Sequence, residues 1–249
     1  MSCATLKRMS GSYVVTGGGR GIGRAVVERL LAEGATVVAI ERDAEALRWL
    51  EHPQAHAVVG DASDEAVVEQ AAGLAESAGA LAGWVNNAAV FRDASLHVDS
   101  ASTVLDLVAA NLGLAVVGCA TAIRRFLAAG TGGAIVNVSS HQARQAVPGC
   151  APYATAKAAI EGLTRALAVE YGAKAIRVNA VAPGTVDTGR FDAATERELA
   201  RVHPLGRVAR PDEVAATIVH LLCDDASFVT GATIPVDGAR TVLAHEPMG

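Results

Sequence analysis

Tyr153 and Lys157 lie four positions apart in an Ala-rich segment that favours a helix. At that spacing two side chains share one face of a helix, so the Lys157 ammonium would lie close to the Tyr153 phenol. A free phenol has a pKa of about 10, too high for a base near neutral pH, and a nearby positive charge stabilises the phenolate. The pair could therefore exchange a proton with a carbonyl or carbinol oxygen while a hydride moves at the adjoining carbon. A Tyr-x-x-x-Lys match alone arises readily by chance, so further residues must support it.

A glycine-rich turn near the amino terminus could bind phosphates. The sequence Thr-Gly-Gly-Gly-Arg-Gly-Ile-Gly at positions 16–23 follows a β-branched run and precedes a helical pattern. Glycines let the backbone approach a pyrophosphate, and the N–H groups at the start of a helix can bind it. This order predicts a dinucleotide site, although the GxxxGxG spacing differs from the common GxGxxG pattern. The residues assigned to this part of the site are Gly17, Gly19, Arg20, Gly21, Ile22 and Gly23.

Two acidic residues follow the next two predicted strands. Glu41 stands about 20 residues beyond the glycines, where an acid could bind the adenosine ribose hydroxyls. Asp61 could meet the adenine, but a solvated turn acid is an alternative for a single Asp. The Glu41 carboxylate would repel the 2′-phosphate of NADP and therefore favours NAD. Arg20 and Arg42 favour the opposite, since arginine binds phosphate strongly, so NADP stays possible.

Short apolar runs alternate with Ala-rich helical stretches along the chain. The runs predict seven strands, at 13–16, 36–40, 57–59, 84–86, 134–138, 176–182 and 233–236, and the stretches predict helices at 22–33, 64–77, 102–129, 153–171 and 211–223. Nearly apolar strands separated by helices suit a doubly wound α/β fold, in which helices cover both faces of a parallel sheet. No low-complexity linker interrupts the pattern. We therefore expect one NAD(P)-binding domain of Rossmann type over residues 1–249.

Residues 184–210 break this alternation. Gly, Pro, Arg and scattered acids fill a long connection between the sixth strand and the last helix. A connection of that length in a compact domain is more often functional than a packing element. We therefore expect a substrate lid over about 184–210, called the lid segment below, with a plain surface excursion as the alternative.

Composition argues against several classes of function. The formal net charge of −5 provides no basic field for nucleic acid or anionic membranes. The cysteines at 3, 119, 150 and 223 show neither metal-ligand spacing nor a disulfide framework, so we expect no metal and a reducing cytoplasm. The first eleven residues lack the apolar run of a secretion signal. The apolar segment 104–123 contains Asp106 and Asn111, which favours a helix buried by protein over one that spans a membrane.

Together these motifs resemble the short-chain dehydrogenase/reductase family, in its single-domain branch of about this length. The resemblance runs from residue 12 to residue 241. Its marks are TGGGRGIG at 16–23, NNAA at 86–89, Asn111, VSS at 138–140, YATAK at 153–157, PGTVDT at 183–188 and TGATIPVDGA at 230–239. It implies an NAD(P)-dependent oxidoreductase that acts on a secondary alcohol or ketone.

By this resemblance, the catalytic set is Asn111, Ser140, Tyr153 and Lys157. Tyr153 would be the general acid or base, Ser140 would hold the substrate oxygen, and Lys157 would also hydrogen-bond the nicotinamide ribose. Ser140 stands thirteen residues before the tyrosine, which fits the family spacing better than its neighbour Ser139. Asn111 would kink its helix or interrupt the hydrogen bonding there, and it would hold a water that relays protons through Lys157.

The resemblance also extends the cofactor site. It assigns the nicotinamide carboxamide to the Val186 backbone and the Thr188 hydroxyl, while capping the lid segment is the alternative role for Thr188. Ala239 stands where the family often has a second glycine after Val-Asp-Gly, so the turn there could pack differently. The remaining cofactor residues implied in this way are Ala62, Asn87, Ala88, Tyr153, Lys157, Pro183 and Gly184.

The residues that could line a substrate pocket suit sugars, small alcohols, acyl thioesters or polyketides. Apolar candidates are Phe91, Val147, Cys150 and Phe191, and candidates for a polar wall are His141, Gln142 and Arg144. A single loop histidine is more often structural than catalytic.

The sequence is also compatible with two other functions, and the resemblance implies an oligomer. An NADPH-dependent 3-ketoacyl reductase that acts on acyl-carrier substrates would use the same residues and show a basic patch at the pocket mouth. A non-catalytic nucleotide-sensing protein would need the glycine turn but not Tyr153 and Lys157. Family analogy further implies a homotetramer, in which the helices around 104–123 and 154–169 pair across a two-fold axis.

Overall fold

Seven strands form one parallel sheet in the computed structural model, which describes residues 9–244. The strands are β1 (Ser12–Thr16), β2 (Thr36–Glu41), β3 (Ala55–Val59), β4 (Leu81–Asn86), β5 (Gly133–Val138), β6 (Ile176–Pro183) and β7 (Thr233–Val236). Their order is β3-β2-β1-β4-β5-β6-β7, and every neighbouring pair is parallel. The predicted doubly wound α/β architecture is confirmed. The expectations for Cys3 and for a missing secretion signal rest on residues 1–8 and lie outside the described residues.

Within residues 9–244, six α-helices join or follow these strands. They are α1 (Gly21–Ala32), α2 (Glu65–Ala78), α3 (Ala101–Ala129), α4 (Ala151–Tyr171), α5 (Ala193–Ala200) and α6 (Pro211–Leu222). Three of these helices, α2, α3 and α5, have an N-terminal cap. The capping side chain belongs to the residue directly before the helix, and it accepts a backbone N–H of the first turn; the capping residues are Asp64, Ser100 and Asp192. Five helices correspond to predicted ones, and α5 lies inside the lid segment.

Adjacent residues of a buried strand serve opposite faces of the sheet. All five side chains of β1 are buried. Val15 joins the hydrophobic cluster beneath α1 and α6, whereas Val14 joins the cluster beneath α2, α3 and α4. This follows from the period of two along a strand. Burial on both faces explains why the strands form nearly continuous apolar runs in the sequence.

Strand β4 begins at Leu81, three residues before the start predicted at position 84. Leu81 pairs with Ser12, and Gly83 pairs with Tyr13. A Cβ atom added at Gly83 would lie 2.6 Å from Cδ1 of the Tyr13 ring, so this strand needs a residue without a side chain here. Glycine and alanine have weak β-propensity, which explains why the start of this strand was not predicted from the sequence.

The strand order reverses between β1 and β4, which are neighbours in the sheet but not in the chain. Ligands of doubly wound folds bind in the crevice at the carboxyl ends of the strands, where the order reverses. The glycine turn follows β1 and the NNAA sequence follows β4, so both lie at this crevice. β5 and β6 end at the same edge, next to Ser139, Ser140 and Gly184.

The lid segment contains structure of its own. Val186 forms an isolated parallel bridge with Ala209, which holds the two ends of the segment together. Between them α5 starts at the capping residue Asp192, and no residue of α5 is buried.

Helix α3 is long and apolar enough, by length and composition only, to cross a membrane, with a mean hydropathy of 1.8. In this fold it packs against α2, α4 and β4. Arg125 at its end forms ion pairs with Glu69 and Glu76 of α2. Only 33% of its apolar window is buried within the chain, so the predicted protein cover is incomplete in one subunit.

Candidate active site

The glycine turn folds tightly against the start of α1. Gly17 and Gly21 have φ angles of +64° and +52°, a region that side chains rarely adopt. A Cβ atom added at Gly23 would lie 2.0 Å from the Gly17 carbonyl oxygen. Arg20, the residue before α1, makes no capping hydrogen bond through its side chain, and the first turn of the helix contains no acid. The turn therefore fits an anion at the start of α1, as a dinucleotide phosphate requires.

Thr16 at the end of β1 and Asn87 directly after β4 hold this turn in place. The Thr16 hydroxyl accepts the backbone N–H groups of Asn87 and Ala88, both at 3.0 Å. The Asn87 amide donates to the carbonyls of Thr16 and Gly17, also at 3.0 Å. Asn87 and Ala88 therefore lie at the predicted cofactor crevice, and the Asn87 side chain supports the backbone of the turn. This role of Thr16 was not predicted from the sequence.

The Glu41 carboxylate lies directly over the glycine turn. Its Oε2 accepts the Gly19 N–H at 3.3 Å, and its Oε1 accepts the Arg42 N–H at 2.9 Å. A Cβ atom added at Gly19 would come within 2.9 Å of the Glu41 Cγ, so Gly19 leaves room for this acid. The predicted position of an acid beside the turn agrees with this geometry.

Both arginines that could hold a 2′-phosphate are paired with acids. Arg20 forms an ion pair with Asp43, and Arg42 lies 3.5 Å from Asp61. Asp61 also accepts the Ser63 N–H and hydroxyl in a local turn. Burial raises the pKa of Asp61, but the bonds from Ser63 and the charge of Arg42 outweigh it and leave the pKa below its usual value.

Ala62, which follows Asp61, is buried. Asp43 was not predicted, although its place two residues after Glu41 could have suggested it.

Tyr153 and Lys157 share one face of α4, as their spacing predicts. The Lys157 Nζ lies 5.4 Å from the centroid of the Tyr153 ring. Lys157 is 2% exposed, and its ammonium donates to the Val138 carbonyl at 2.8 Å. Burial lowers the pKa of Lys157 to about 8.

The pKa of Tyr153 differs from the sequence expectation. Burial raises it to about 12, while a hydrogen bond with Ser140 and the charge of Arg190 act in the opposite direction. We expected Lys157 to lower this pKa, but its ammonium is engaged by Val138 and is not among the groups that do so. The protein alone therefore holds Tyr153 in its protonated form.

The two serines after β5 face different partners. Ser140 forms a side-chain hydrogen bond with Tyr153, and its Oγ accepts the Gln142 N–H at 3.2 Å. The Ser139 hydroxyl instead lies 3.3 Å from both the Lys157 carbonyl and the Glu161 Oε1, to either of which it can donate. The structure thus places Ser140, rather than Ser139, beside the tyrosine.

Asn111 hydrogen-bonds to the loop after β4. Its amide donates to the carbonyls of Val90, at 3.0 Å, and Leu107, at 3.3 Å, and its Oδ1 accepts the Val90 N–H. Helix α3 extends through this position, where the Asn111 side chain donates to the carbonyl of the residue one turn earlier. These bonds satisfy the polar atoms of the side chain.

The end of β6 leads into the segment predicted to meet the nicotinamide. Pro183 is the last residue of β6, and the Gly184 N–H donates to the Val236 carbonyl at 3.0 Å. Val186 is held by its bridge to Ala209. The Cγ2 of Thr188 lies 3.0 Å from a Cβ atom added at Gly21, so this segment reaches the glycine turn. The phosphate and nicotinamide ends of the predicted site therefore meet at one crevice.

Aromatic and cationic side chains surround Tyr153 on the substrate side. The Phe91 ring is 61% exposed, and its centroid lies 5.5 Å from that of Tyr153. Arg190 of the lid segment lies over Phe91, with its Cζ 4.6 Å from the ring centroid, and donates to the Thr188 hydroxyl. Phe191, Val147 and Cys150 are partly exposed.

The predicted polar wall has a different composition. His141 is buried, and burial together with Arg240 and His203 lowers its pKa to about 4, so it is neutral near neutral pH. Arg144 forms an ion pair with Glu161 at 3.1 Å and is engaged away from a substrate. The side-chain oxygens of Gln142 and Gln145 and the Nδ1 of His141 are buried without a hydrogen-bond partner within residues 9–244. Gln145 was not predicted.

A cavity of about 830 Å³ opens at the amino ends of the strands, opposite the predicted site. Tyr13, Arg29 and Arg177 are among the residues that line it. No predicted site residue lines it, so the candidate site rests on the convergence of side chains rather than on cavity size. Among residues 9–244, no group of three His, Cys, Asp or Glu side chains is arranged to hold a metal ion.

Comparison with known proteins gives consistent matches over nearly the whole chain. A family model described as enoyl-(acyl carrier protein) reductase matches residues 17–240. The chain is 39% identical over 234 residues to L-xylulose reductase of Bos taurus, covering 90% of this chain and 94% of that protein. It is 34% identical over 239 residues to cyclohexanol dehydrogenase of an Acinetobacter strain, with 92% and 94% covered.

Two further matches extend this range. The chain is 36% identical over 236 residues to a 3-oxoacyl-(acyl-carrier-protein) reductase of Pseudomonas aeruginosa, covering 90% of this chain and 95% of that protein. The crystal structure of a short chain dehydrogenase from Bacillus anthracis is similar with a TM-score of 0.87 at 27% identity, covering 97% of this chain and 99% of that one.

Proposed function

The chain belongs to the short-chain dehydrogenase/reductase family, and from this premise we propose that it moves a hydride between a nicotinamide dinucleotide and a secondary alcohol or ketone. The named relatives are reductases and a dehydrogenase. The observation that supports the proposal most is that Ser140, Tyr153 and Lys157 come together at the same sheet edge as the glycine turn.

Tyr153 would transfer the proton. In reduction the carbonyl carbon gains a hydride and its oxygen takes the phenol proton, and in oxidation the phenolate takes the hydroxyl proton back. The bound dinucleotide supplies or accepts the hydride. Because the pKa of Tyr153 is about 12, the phenol holds its proton at neutral pH, which suits donation to a carbonyl.

The neighbouring residues would orient the reacting groups. Ser140, which lies beside Tyr153, would turn its hydroxyl to donate to the substrate oxygen. Lys157 would bind the nicotinamide ribose through its Nζ. This ammonium would either keep its bond to the Val138 carbonyl or give it up for the ribose. Asn111 would hold the loop at Val90 that borders the site.

We propose that NAD is preferred over NADP. The Glu41 carboxylate would accept hydrogen bonds from the adenosine ribose and repel a 2′-phosphate. The arginines that could reverse this preference are held by Asp43 and Asp61. An arginine would have to leave its acid before it could bind the phosphate.

Comparison of kcat/KM for NAD and NADP in the wild type and in Glu41→Ala tests the preference. The wild type should favour NAD, and removal of the carboxylate should shrink that preference. Glu51→Ala, at an exposed acid outside the site, is the control and should change neither constant. A wild type that favours NADP, or an unchanged preference in Glu41→Ala, would show that Glu41 does not set the choice.

A substrate panel followed by NADH absorbance tests the activity itself. It should include ketoses, cyclic ketones and acyl thioesters, since the named relatives act on sugars, cyclic alcohols and acyl-carrier substrates. The alternative function, an NADPH-dependent ketoreductase of acyl-carrier substrates, predicts activity on thioesters together with preference for NADPH. Failure to oxidise NADH or NADPH with any ketone would contradict the proposal.

We also propose that residues 1–249 form one dinucleotide-binding domain with residues 184–210 as its lid. The protein would act in the cytoplasm as a homotetramer. Support comes from the single sheet and from the partly uncovered apolar surface of α3.

A further inference from the structure

His203 was not among the residues predicted from the sequence, yet its side chain contacts both the start of the lid segment and helix α5. Its ring is 3% exposed. Its Nε2 accepts the Thr185 N–H at 3.1 Å, and its Nδ1 lies 2.8 Å from the Leu199 carbonyl of α5. One side chain therefore connects the end of β6 to the helix of the lid segment.

These two contacts fix the tautomer of the imidazole. A ring nitrogen that accepts an N–H carries no proton, so Nε2 must be bare. A nitrogen facing a carbonyl must donate, so the proton lies on Nδ1. Burial lowers the pKa of His203, as does Arg240, and the neutral ring that both contacts require is therefore favoured.

The groups around the ring hold the same short piece of backbone. A Cβ atom added at Gly184 would lie 2.8 Å from the His203 Nε2, so the ring packs directly on this glycine. Arg240 donates to the Thr185 hydroxyl at 3.0 Å, and the Ala209 N–H donates to the Thr185 carbonyl at 2.9 Å. Asp237 accepts bonds from Thr241 and Ala239 at the edge of this cluster.

We infer that His203 is a positioning residue, which sets the backbone of residues 184–188 for the nicotinamide end of the dinucleotide by accepting the Thr185 N–H. The inference rests on the proposed function, which assigns the carboxamide to Val186 and Thr188. Loss of the acceptor would leave the partly buried Thr185 N–H without its partner and let this backbone shift. The glycine turn, which would hold the phosphates, has its own supports in Thr16 and Asn87, so we expect it to keep its shape.

Two amide substitutions separate the two contacts of the ring. In His203→Gln the side-chain oxygen can reach the place of Nε2 and still accept from Thr185. In His203→Asn the shorter amide can take the place of Nδ1 and donate to Leu199, but it cannot reach Thr185. Leucine at this position removes both contacts.

Binding of NADH and of ADP-ribose to each variant, measured by calorimetry without substrate, provides the test. ADP-ribose lacks the nicotinamide and therefore reports on the rest of the site. We expect His203→Gln to bind NADH like the wild type. We expect His203→Asn and His203→Leu to weaken NADH about tenfold or more and to bind ADP-ribose normally.

Several results would overturn the inference. Normal NADH affinity in His203→Asn, or a loss in His203→Gln with none in His203→Asn, would show that the acceptor contact is not what matters. Parallel losses of NADH and ADP-ribose would show a merely structural role. If the Asn and Leu variants do not fold, Arg240→Met removes the other side-chain bond to Thr185 and should give the same NADH-selective loss. Wild-type protein that binds neither ligand would instead contradict the proposed function.

Discussion

Burial controls the protonation state of individual side chains throughout the site. It raises the pKa of Tyr153 to about 12, lowers that of Lys157 to about 8 and lowers that of His141 to about 4. Each shift follows from the cost of placing a charge in a medium of low polarity. Near neutral pH the site therefore contains a protonated phenol, a cationic lysine and a neutral imidazole.

The His141 shift predicts a specific pH dependence of stability. Between pH 6.5 and about 4 the unfolded chain binds a proton at His141 that the folded chain does not bind. The free energy of unfolding must therefore fall as the pH falls through this window, by up to about 3 kcal/mol. His141→Gln removes the group and should flatten this part of the curve, measured by denaturant unfolding at several pH values. His97→Gln, at an exposed histidine, should keep the wild-type slope, and a wild-type slope in His141→Gln would contradict the account.

Spacing in the sequence predicts which residues share a face or an edge, but not which partner each one selects. The spacing of Tyr153 and Lys157 places them on one helix face. The bond from Lys157 to Val138 and the pairing of Arg144 with Glu161 depend on how the end of β5 and the loop after it lie against α4, which no local pattern encodes. No sequence pattern pointed to His203. The N–H that it accepts belongs to Thr185, 18 residues earlier in the chain, and its other partner is the Leu199 carbonyl of the unpredicted helix α5.

Among the elements, the glycine turn and the end of β6 form the predicted cofactor crevice. The turn could be predicted because glycine positions, strand and helix follow one another locally in the sequence. The helix α5 could not, since it is short and exposed and presents no apolar face to the core. The early start of β4 was missed for a similar reason, because Gly83 is selected by the Tyr13 ring of the neighbouring strand.

The turn after β7 contains a residue in a conformation that favours glycine. Ala239 has a φ angle of 70° and is exposed, so a side chain is retained there at a conformational cost. Ala239→Gly should relieve this strain and raise the free energy of unfolding by up to about 1 kcal/mol, part of the gain being offset by the greater freedom of glycine in the unfolded chain. Ala66→Gly in α2 is the control and should lower stability, because its backbone is helical. Thermal unfolding that shows Ala239→Gly destabilised as strongly as the control would contradict this interpretation.

At the scale of the whole molecule, an apolar stripe on α3 has no cover within one subunit. Leu105, Val116 and Leu127 are 66%, 41% and 44% exposed. They are spaced eleven residues apart, which places them on one side of a helix. Val169 on the adjoining α4 is 86% exposed. A surface of this kind is typical of an interface between subunits.

The oligomeric state tests the role of this stripe. Light scattering at micromolar concentration should give four times the mass of the chain, because α3 and α4 would pair across two-fold axes. Val116→Lys, in the middle of the stripe, should lower the mass by placing a charge in the interface. Val59→Lys, at the end of β3, is the matched control and should leave the mass unchanged. A monomeric wild type would rule out the proposed assembly.

Turnover of Tyr153→Phe, together with its affinity for NADH, shows whether the Tyr153 hydroxyl transfers the proton. This substitution removes only the hydroxyl that is proposed to carry the proton, so NADH binding should stay near the wild-type level. On the ketone that the wild type reduces best, turnover should fall by about 10²–10⁴-fold, the usual contribution of general acid–base catalysis. Tyr171→Phe, at the end of α4, is the matched control and should be fully active. Retention of more than about a tenth of wild-type turnover in Tyr153→Phe would contradict the assignment of Tyr153 as the proton donor.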